Sequence, residues 1–222
     1  MTITAWITWA LASCIAGEPR LATEQGERAS GCCGSGLSVV WVRLLFPDPP
    51  LSADGIILRL PGPADVAWIA AACSDRELSR YVPGIPYPYQ EADARAFVMR
   101  AAREWAEGTA ATFVIAGEQG DSLGSVAVHF SAGDPGLAQV GYWLRAEARG
   151  RGAATTAVRL VAAWAFGDLG IQRLNLQTAP QNQASQRVAE RAGFTREGLL
   201  RAWMPTSSGR RDSIMFSLLP DD

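Results

Sequence analysis

The chain has 222 residues, of which 48% are hydrophobic, and its formal net charge at pH 7 is −2. This length and composition can bury a sizeable core and predict one domain with an appendage. The charge shows no basic excess, so it does not indicate general binding to nucleic acid or to an anionic membrane. All 20 basic residues are arginines, which excludes chemistry that needs a lysine side chain.

Residues 1–50 show no periodic pattern of a packed unit, and we expect a disordered or misassigned N-terminal extension. Its segment LASC, which ends at Cys14, resembles a bacterial lipoprotein cleavage box and would imply export. However, the first basic residue is Arg20, and a secretory signal needs positive charge before its apolar run. The apolar run is also too short to span a bilayer.

The cysteines do not form a recognisable framework. Cys32 and Cys33 are adjacent, the other two are Cys14 and Cys73, and the single histidine, His129, is far away in the sequence. This spacing fits neither a zinc site nor a set of disulfides. We therefore expect no metal and a reduced, cytoplasmic setting.

From residue 51 the sequence becomes regular, and we predict one domain over 51–222. GIILRL (55–60) is typical of a strand, and PGPADVAWIAAAC predicts a helix with a proline at its start. Residues 87–108 have a helical apolar period that ends at Gly108. Three strand-like segments follow, separated by glycine and aspartate turns: ATFVIAGE, DSLGSVAVHFSAG and GLAQVGYWLRAE.

The second half alternates helices and strands. A helix after RGRG (149–152) places several apolar residues on one face, namely Ala154, Ala157, Val158, Val161, Trp164 and Ala165. RLNLQTAP (173–180) predicts a strand, NQASQRVAERAGF (182–194) a helix, and RRDSIMFSLL (210–219) a last strand. The predicted order βααβββαβαββ indicates a mixed α/β fold.

The loop that precedes the long helix has the composition of an anion site. Small residues at 150 and 152–154 would let backbone N–H groups approach an anion at a helix start, and Arg149 and Arg151 could add charged contacts. A phosphate loop of the nucleotide-hydrolase type needs a lysine, which is absent. A dinucleotide-binding turn needs a third glycine, but position 155 is threonine.

With these motifs the sequence resembles the GNAT superfamily of N-acetyltransferases, which carries [RQ]xxGx[GA] at this place. The segments QVGYWL, NQASQRVAERAGF, REGLLR and RRDSIMFSLL are similar to the RimJ/RimL-like branch, which acetylates ribosomal-protein N-termini. The resemblance covers residues 54 to 219. It implies a mostly antiparallel central sheet flanked by helices, acetyl-CoA as co-substrate and a primary amine as acceptor.

The resemblance also implies a set of cofactor-binding residues. The pantetheine arm of acetyl-CoA would pair with the strand backbone at Trp143, Leu144 and Arg145. Asn182 would reach the pantetheine, and it is also a favourable helix N-cap. The loop residues that would hold the pyrophosphate are Arg149, Gly150, Arg151, Gly152, Ala153 and Ala154.

The catalytic residues are less completely specified by the resemblance. Many superfamily members have a tyrosine seven residues after the helix-start asparagine, but this position is Ala189. Ser185 matches the branch and is our candidate for contact with the departing thiolate. Candidates for the base are His129, which titrates near neutrality when unperturbed, Glu147 and Asp212.

The sequence leaves the acceptor open. The expected activity is transfer of an acetyl group to a protein N-terminal α-amine or a similar primary amine. The alternatives are a small-molecule acetyltransferase acting on aminoglycosides or polyamines, and a non-catalytic acyl-CoA-binding module. We expect a cytoplasmic protein with no nucleic-acid or membrane partner, for which a homodimer is compatible with the sequence.

Overall fold

The computed structural model describes residues 44–82, 84–206 and 209–222. Most of the predicted N-terminal extension, including LASC, lies outside the described residues. At its described end, Leu44 is 7% exposed in the main core, and the ring of Phe46 lies 6.2 Å from that of Trp105. Packed structure therefore includes residues that precede position 51.

Within these ranges, eight strands form one sheet in the order β1-β2-β3-β4-β5-β6-β8-β7. Their bounds are β1 Ser52–Ala53, β2 Ile56–Arg59, β3 Ala110–Gly117, β4 Ser122–Phe130, β5 Leu137–Leu144, β6 Arg173–Thr178, β7 Thr195–Thr206 and β8 Gly209–Leu218. Neighbouring strands are antiparallel except β5 and β6. A parallel neighbour needs a crossover, which the helix between β5 and β6 supplies.

In the described part of the chain, five α-helices cover the two faces of the sheet: α1 Val66–Cys73, α2 Arg76–Tyr81, α3 Glu91–Glu107, α4 Ala153–Gly167 and α5 Gln183–Arg191. One cluster of buried residues joins α1, α2 and α3 to Trp143 of β5. The main core joins α4 and α5 to the opposite face, and every residue of the predicted apolar face of α4 is buried in it. Within the described residues, none of these helices has the length and hydropathy to cross a membrane.

The mixed α/β fold predicted from the sequence is confirmed, including its mostly antiparallel sheet. Two elements were not predicted, namely the two-residue strand β1 and the short helix α2. In α2, Asp75 caps the helix by accepting from the N–H of Glu77 at 2.9 Å. Its six residues are too few for an apolar period to stand out in the sequence.

The sheet splits between β5 and β6. Their parallel pairing runs from Leu137↔Arg173 to Val140↔Leu176 and then ends. The last residues of β6 continue to pair with β8 on the other side, for example Thr178 with Ile214. The second half of β5, residues 141–144, therefore has a free edge that faces an opening through the sheet.

Candidate active site

A cavity of about 290 Å³ occupies the split between β5 and β6. Residues from both faces of the sheet line it, so it passes through the sheet. On one face its walls come from the start of α4 and from α5, including Gly152, Ser185 and Arg187. On the other face they come from α2 and the β7–β8 hairpin, including Tyr81 and Arg211. We call these the α5 opening and the α2 opening.

The loop at the start of α4 has free backbone donors. Gly150 and Gly152 adopt φ of 76° and 87°, a left-handed conformation that favours glycine, and a Cβ on either would meet no atom within 4 Å. Among the described residues, no oxygen accepts from the amides of residues 150–154. The N-terminal turn of α4 contains no acidic residue. Open space, free N–H groups and the helix dipole together fit a phosphate-bearing ligand.

Arg149, predicted to contact a pyrophosphate, has other partners. Its Nη2 and Nη1 lie 2.6 Å from carboxylate oxygens of Asp75 and Glu77, and its Nε donates to the carbonyl of Leu144 at 3.2 Å. The pKa of Asp75 is lowered, first by the hydrogen bond from the N–H of Glu77 and then by Arg149. Arg149 thus ties the loop to α2 and to β5, and its charge is already matched by carboxylates.

The free edge of β5 presents only some of the predicted backbone groups. The N–H of Arg145 donates to the carbonyl of Leu123 at 2.9 Å, so it points to β4 and away from the split. Because the backbone groups of a strand alternate between its two neighbours, the groups that face the split belong to Tyr142 and Leu144. The ring of Trp143 packs in the α1–α3 cluster, 5.6 Å from Trp68.

Ser185 lies in the cavity and has a phenol as its partner. The Tyr142 hydroxyl is 3.1 Å from the Ser185 Oγ, and the Ser185 N–H donates to the Asn182 side-chain oxygen, also at 3.1 Å. Asn182 is therefore the N-cap of α5, as predicted. Burial raises the pKa of Tyr142 to about 12, although its hydrogen bond with Ser185 opposes that shift. A neutral phenol is thus held beside the serine.

Tyr142 was missed in the sequence because it reads as an ordinary aromatic residue of the strand QVGYWL. Its alternation with Trp143 places it on the α4–α5 face, which would have indicated proximity to α5. Arg187 and Arg191, which also line the cavity, were missed as well. Their spacing of four residues on α5 puts both on one side of the helix, and that signal was available.

The described lining of the cavity lacks six of the site residues predicted from the sequence, namely His129, Arg145, Glu147, Arg151, Ala153 and Asp212. Glu147 and Arg151 line a separate depression with Arg145, on the side of the loop toward β2. His129 pairs with Gln139 and is exposed on the sheet, away from the cavity. Asp212 accepts from the N–H of Ala202 at 2.7 Å.

The charges of the cavity are mostly positive. Its described lining contains four arginines and one carboxylate, and that carboxylate, Glu77, is paired with Arg149 at 2.6 Å. The arginines are Arg149, Arg187, Arg191 and Arg211. Among the described residues there is no group of three or more histidine, cysteine or acidic side chains placed to bind a metal ion.

Comparison with known families identifies the family to which the chain belongs. The family model described as an acetyltransferase (GNAT) domain matches residues 56–195, more than half of the chain. The chain belongs to the GNAT acetyltransferase family. The matched region contains β5, the loop, α4 and α5, and therefore most of the cavity.

Individual GNAT proteins support this placement. YjcK of Bacillus subtilis, named a probable N-acetyltransferase, is 38% identical over 84 residues, 37% of this chain and 46% of that protein. YdaF of the same organism, whose name suggests a ribosomal N-acetyltransferase, is 35% identical over 82 residues, 37% of this chain and 45% of YdaF. The matched segments thus span about half the length of these two relatives.

A solved structure has the same fold. RimJ of Mycobacterium smegmatis, in complex with CoA-disulfide, superposes with a TM-score of 0.68 at 21% identity and covers 75% of this chain and 82% of its own. The resemblance to the GNAT superfamily that the sequence indicated is confirmed by the family match.

Proposed function

We propose that this GNAT protein transfers the acetyl group of acetyl-CoA to a primary amine, most favourably the N-terminal α-amine of a polypeptide. The observation that carries the proposal is the cavity through the sheet, with free amides of residues 150–154 at one end. The name of YdaF, a ribosomal N-acetyltransferase, supports this acceptor class, and the CoA-disulfide bound to RimJ supports the cofactor.

The two openings suggest separate routes for the two substrates. The pyrophosphate of acetyl-CoA would bind the loop amides, and Arg187 and Arg191 would add positive charge at the α5 opening. The pantetheine arm would lie along the free edge of β5 and pair with backbone groups of Tyr142 and with the N–H of Leu144, whose carbonyl already accepts from Arg149, in the manner of strand addition. The acceptor amine would then enter from the α2 opening.

In the proposed reaction, the amine nitrogen attacks the thioester carbonyl and a C–N bond forms. A free N–H of the β5 edge would stabilise the negative charge that develops on the carbonyl oxygen. The C–S bond then breaks and the thiolate of CoA accepts a proton, while the new amide loses one to solvent. The Ser185 hydroxyl, held by Tyr142, is the group that we assign to thiolate protonation.

The charges of the cavity bear on the alternative acceptors. Aminoglycosides and polyamines carry several positive charges, but the only described carboxylate in the lining is occupied by Arg149. A polycation would therefore meet repulsion without compensation, and we prefer a peptide amine. The alternative of a non-catalytic module was suggested by the absence of a tyrosine at position 189. Since Tyr142 of β5 supplies a phenol to the cavity instead, that absence does not argue against catalysis.

The cytoplasmic location and the homodimer stay predictions. We propose the location because acetyl-CoA, the proposed donor, is a cytosolic metabolite. The division into an extension over 1–50 and a domain over 51–222 is also kept as a proposal. Leu44 and Phe46, which pack against the domain, lie on the extension side of that boundary.

Substitution of Gly152 tests the cofactor site. A leucine at this position would fill the space in front of the loop amides, so the Kd of acetyl-CoA from calorimetry should rise by more than about tenfold. Gly120 provides a matched control, since it has φ of 80° and equally open surroundings but lies in the β3–β4 turn. Gly120→Leu should bind acetyl-CoA like the unmodified protein. Normal binding by Gly152→Leu would refute the assignment.

A further inference from the structure

The β7–β8 hairpin at the α2 opening contains an irregularity that fixes the direction of Arg211. The register between the strands shifts between Leu200 and Met204, and Ala202 within the shift has a φ of 47°. Asp212 accepts from the N–H of Ala202 at 2.7 Å, and Arg210 Nε donates to its carbonyl at 2.5 Å. Such bulges occur near active sites, where they redirect a side chain.

Arg211 crosses from the hairpin to the end of α2. Its Nη1 donates to the carbonyl of Arg80 at 2.8 Å and its Nη2 to that of Tyr81 at 3.0 Å. The guanidinium is half-buried and lines the cavity. Partial burial lowers its pKa, but an arginine remains charged at neutral pH. The side chain is therefore a fixed positive charge at the opening.

This charge lacks a carboxylate partner, in contrast to that of Arg149. No described carboxylate lies within ion-pair distance of Arg211, whereas Arg149 contacts two at 2.6 Å. The neighbouring Asp212 is exposed and bonded to Ala202. A guanidinium has five N–H donors in a planar fork, and two carbonyls do not exhaust them. The remaining donors fit a carboxylate of a bound molecule.

We propose that Arg211 makes the α2 opening selective for an amine with a carboxylate close by, as in a polypeptide whose second or third residue is Asp or Glu. The proposal rests on the N-acetyltransferase function proposed above. A guanidinium forms strong charge-assisted hydrogen bonds with a carboxylate. The same charge repels lysine or arginine at that position, so it selects by attraction and by repulsion. It also disfavours protonation of the incoming amine.

Steady-state kinetics on a peptide series can test this assignment. The series has a free N-terminal serine, an identical uncharged remainder, and Asp, Asn or Lys at position two, three or four. Release of CoA is followed with a thiol reagent in the presence of acetyl-CoA. At its best position Asp should exceed Asn in kcat/KM by about tenfold, the ratio expected for one charge-assisted contact, and Lys should be poorest.

Three variants separate charge recognition from a structural role. Arg211→Gln should remove the Asp-over-Asn preference, and Arg211→Lys should retain part of it. Arg196→Gln, which changes an exposed arginine at the start of β7 outside the described lining of the cavity, should leave the preference intact. For each variant, kcat/KM for the Asn peptide and the Kd of acetyl-CoA are also measured. Loss of the contacts with α2 alone would lower kcat/KM for the Asp and Asn peptides equally.

The outcomes of the two proposals are distinguishable. Binding of acetyl-CoA and turnover of the peptides with no effect of charge would overturn the role of Arg211 and leave the acetyltransferase function in place. An unchanged Asp preference in Arg211→Gln would also overturn it. Failure to bind acetyl-CoA, with no turnover of any amine, would instead reject the proposed function.

Discussion

A hydroxyl pair in the cavity addresses the least specified step of the reaction, protonation of the departing thiolate. Serine alone is a weak acid, but its hydroxyl can give a proton to the thiolate while it receives one from a neighbouring phenol. The Tyr142 hydroxyl is 3.1 Å from Ser185 and keeps its proton because burial raises its pKa to about 12. The two hydroxyls can therefore act as one unit, with Tyr142 positioning Ser185.

This pairing predicts a specific pattern in a double-mutant cycle. Ser185→Ala should lower kcat by about a hundredfold, the lower range for general acid catalysis, with the KM of acetyl-CoA little changed. Tyr142→Phe keeps the ring packing and should lower kcat by a smaller factor. The double variant should be no slower than Ser185→Ala, because residues that act as a unit are not additive.

A second tyrosine provides the control for this cycle. Tyr89 is also partly buried, and burial likewise raises its pKa, but it packs in the α1–α3 cluster with Cys73 and is absent from the described lining of the cavity. Tyr89→Phe should leave kcat unchanged. Independent, multiplicative losses in the Tyr142–Ser185 cycle would show that the two hydroxyls do not cooperate.

At the scale of elements, the start of α1 depends on one buried carboxylate. Asp65 is 3% exposed and accepts from Arg59 at 2.6 and 2.9 Å, from Trp68 Nε1 at 2.6 Å and from the N–H of Gly62 at 2.8 Å. Burial alone would raise the pKa of Asp65, but the hydrogen bonds from Arg59, Trp68 and Gly62 outweigh it, so the pKa is lowered. The carboxylate thus links β2 to α1.

Asp65→Asn should lower the free energy of unfolding at pH 7 by about 2 kcal/mol, as measured by urea denaturation. Because the pKa of Asp65 is lower in the folded protein than in the unfolded chain, where it is about 3.9, its carboxylate stabilises the fold at pH values above about 3.9. This stabilisation is lost as the pH falls through the pKa of Asp65 in the folded protein. The difference between wild type and variant should therefore shrink below about pH 4. Asp93→Asn, at the more exposed start of α3, should lower the free energy of unfolding by less than Asp65→Asn does. A pH-independent difference would contradict this account.

The elements differ in how well the sequence predicts them. The period of α4, the caps of α3 and α5 and the β-rich middle are local signals, and the structure matches them. Helix α2 has a cap but no apolar period, and its position depends on Arg149, which lies 74 residues from Asp75. The split between β5 and β6 is likewise a long-range property of strand pairing. The sequence therefore indicated the loop before α4 more fully than the α2 opening.

The same limit explains the catalytic candidates. His129 was selected because histidine titrates near neutrality, which is a property of the residue type and not of its position. The direction of Glu147 and Arg151 depends on the turn at residues 146–152, where two glycines take left-handed conformations. Ser185 lines the cavity, where one turn of helix fixes its position relative to the N-cap Asn182, and its role there stays a prediction.

At the scale of the whole molecule, the opening through the sheet assigns different tasks to its two faces. The face of α4 and α5 carries the free loop amides, two cavity arginines and the Tyr142–Ser185 pair. The face of α1, α2 and α3 is closed by Trp143 and Trp68, and its opening is lined by Arg211. Bound from opposite faces, donor and acceptor would meet in the split, where the β5 edge is free.

This arrangement predicts that the substrate amine, and not a protein base, sets the pH dependence. The described lining of the cavity contains neither histidine nor cysteine, and the phenol of Tyr142 stays protonated. The reactive amine must be neutral, and free α-amines titrate near about pH 8 while lysine side chains titrate near about pH 10.4. Since the charge of Arg211 disfavours a second positive charge nearby, the pKa of the bound amine should be no higher than that of the free amine.

Two acceptor peptides that otherwise share one sequence make the measurement decisive. One has a free N-terminus and no lysine, and the other has a blocked N-terminus and a single lysine. For the first, kcat/KM should rise with pH and level off at or below about pH 8, whereas for the second it should still rise beyond about pH 9. His129→Gln should change neither profile, because His129 lies outside the described cavity lining. A common plateau near pH 6 to 7 for both peptides, abolished in His129→Gln, would identify a protein base and reject this mechanism.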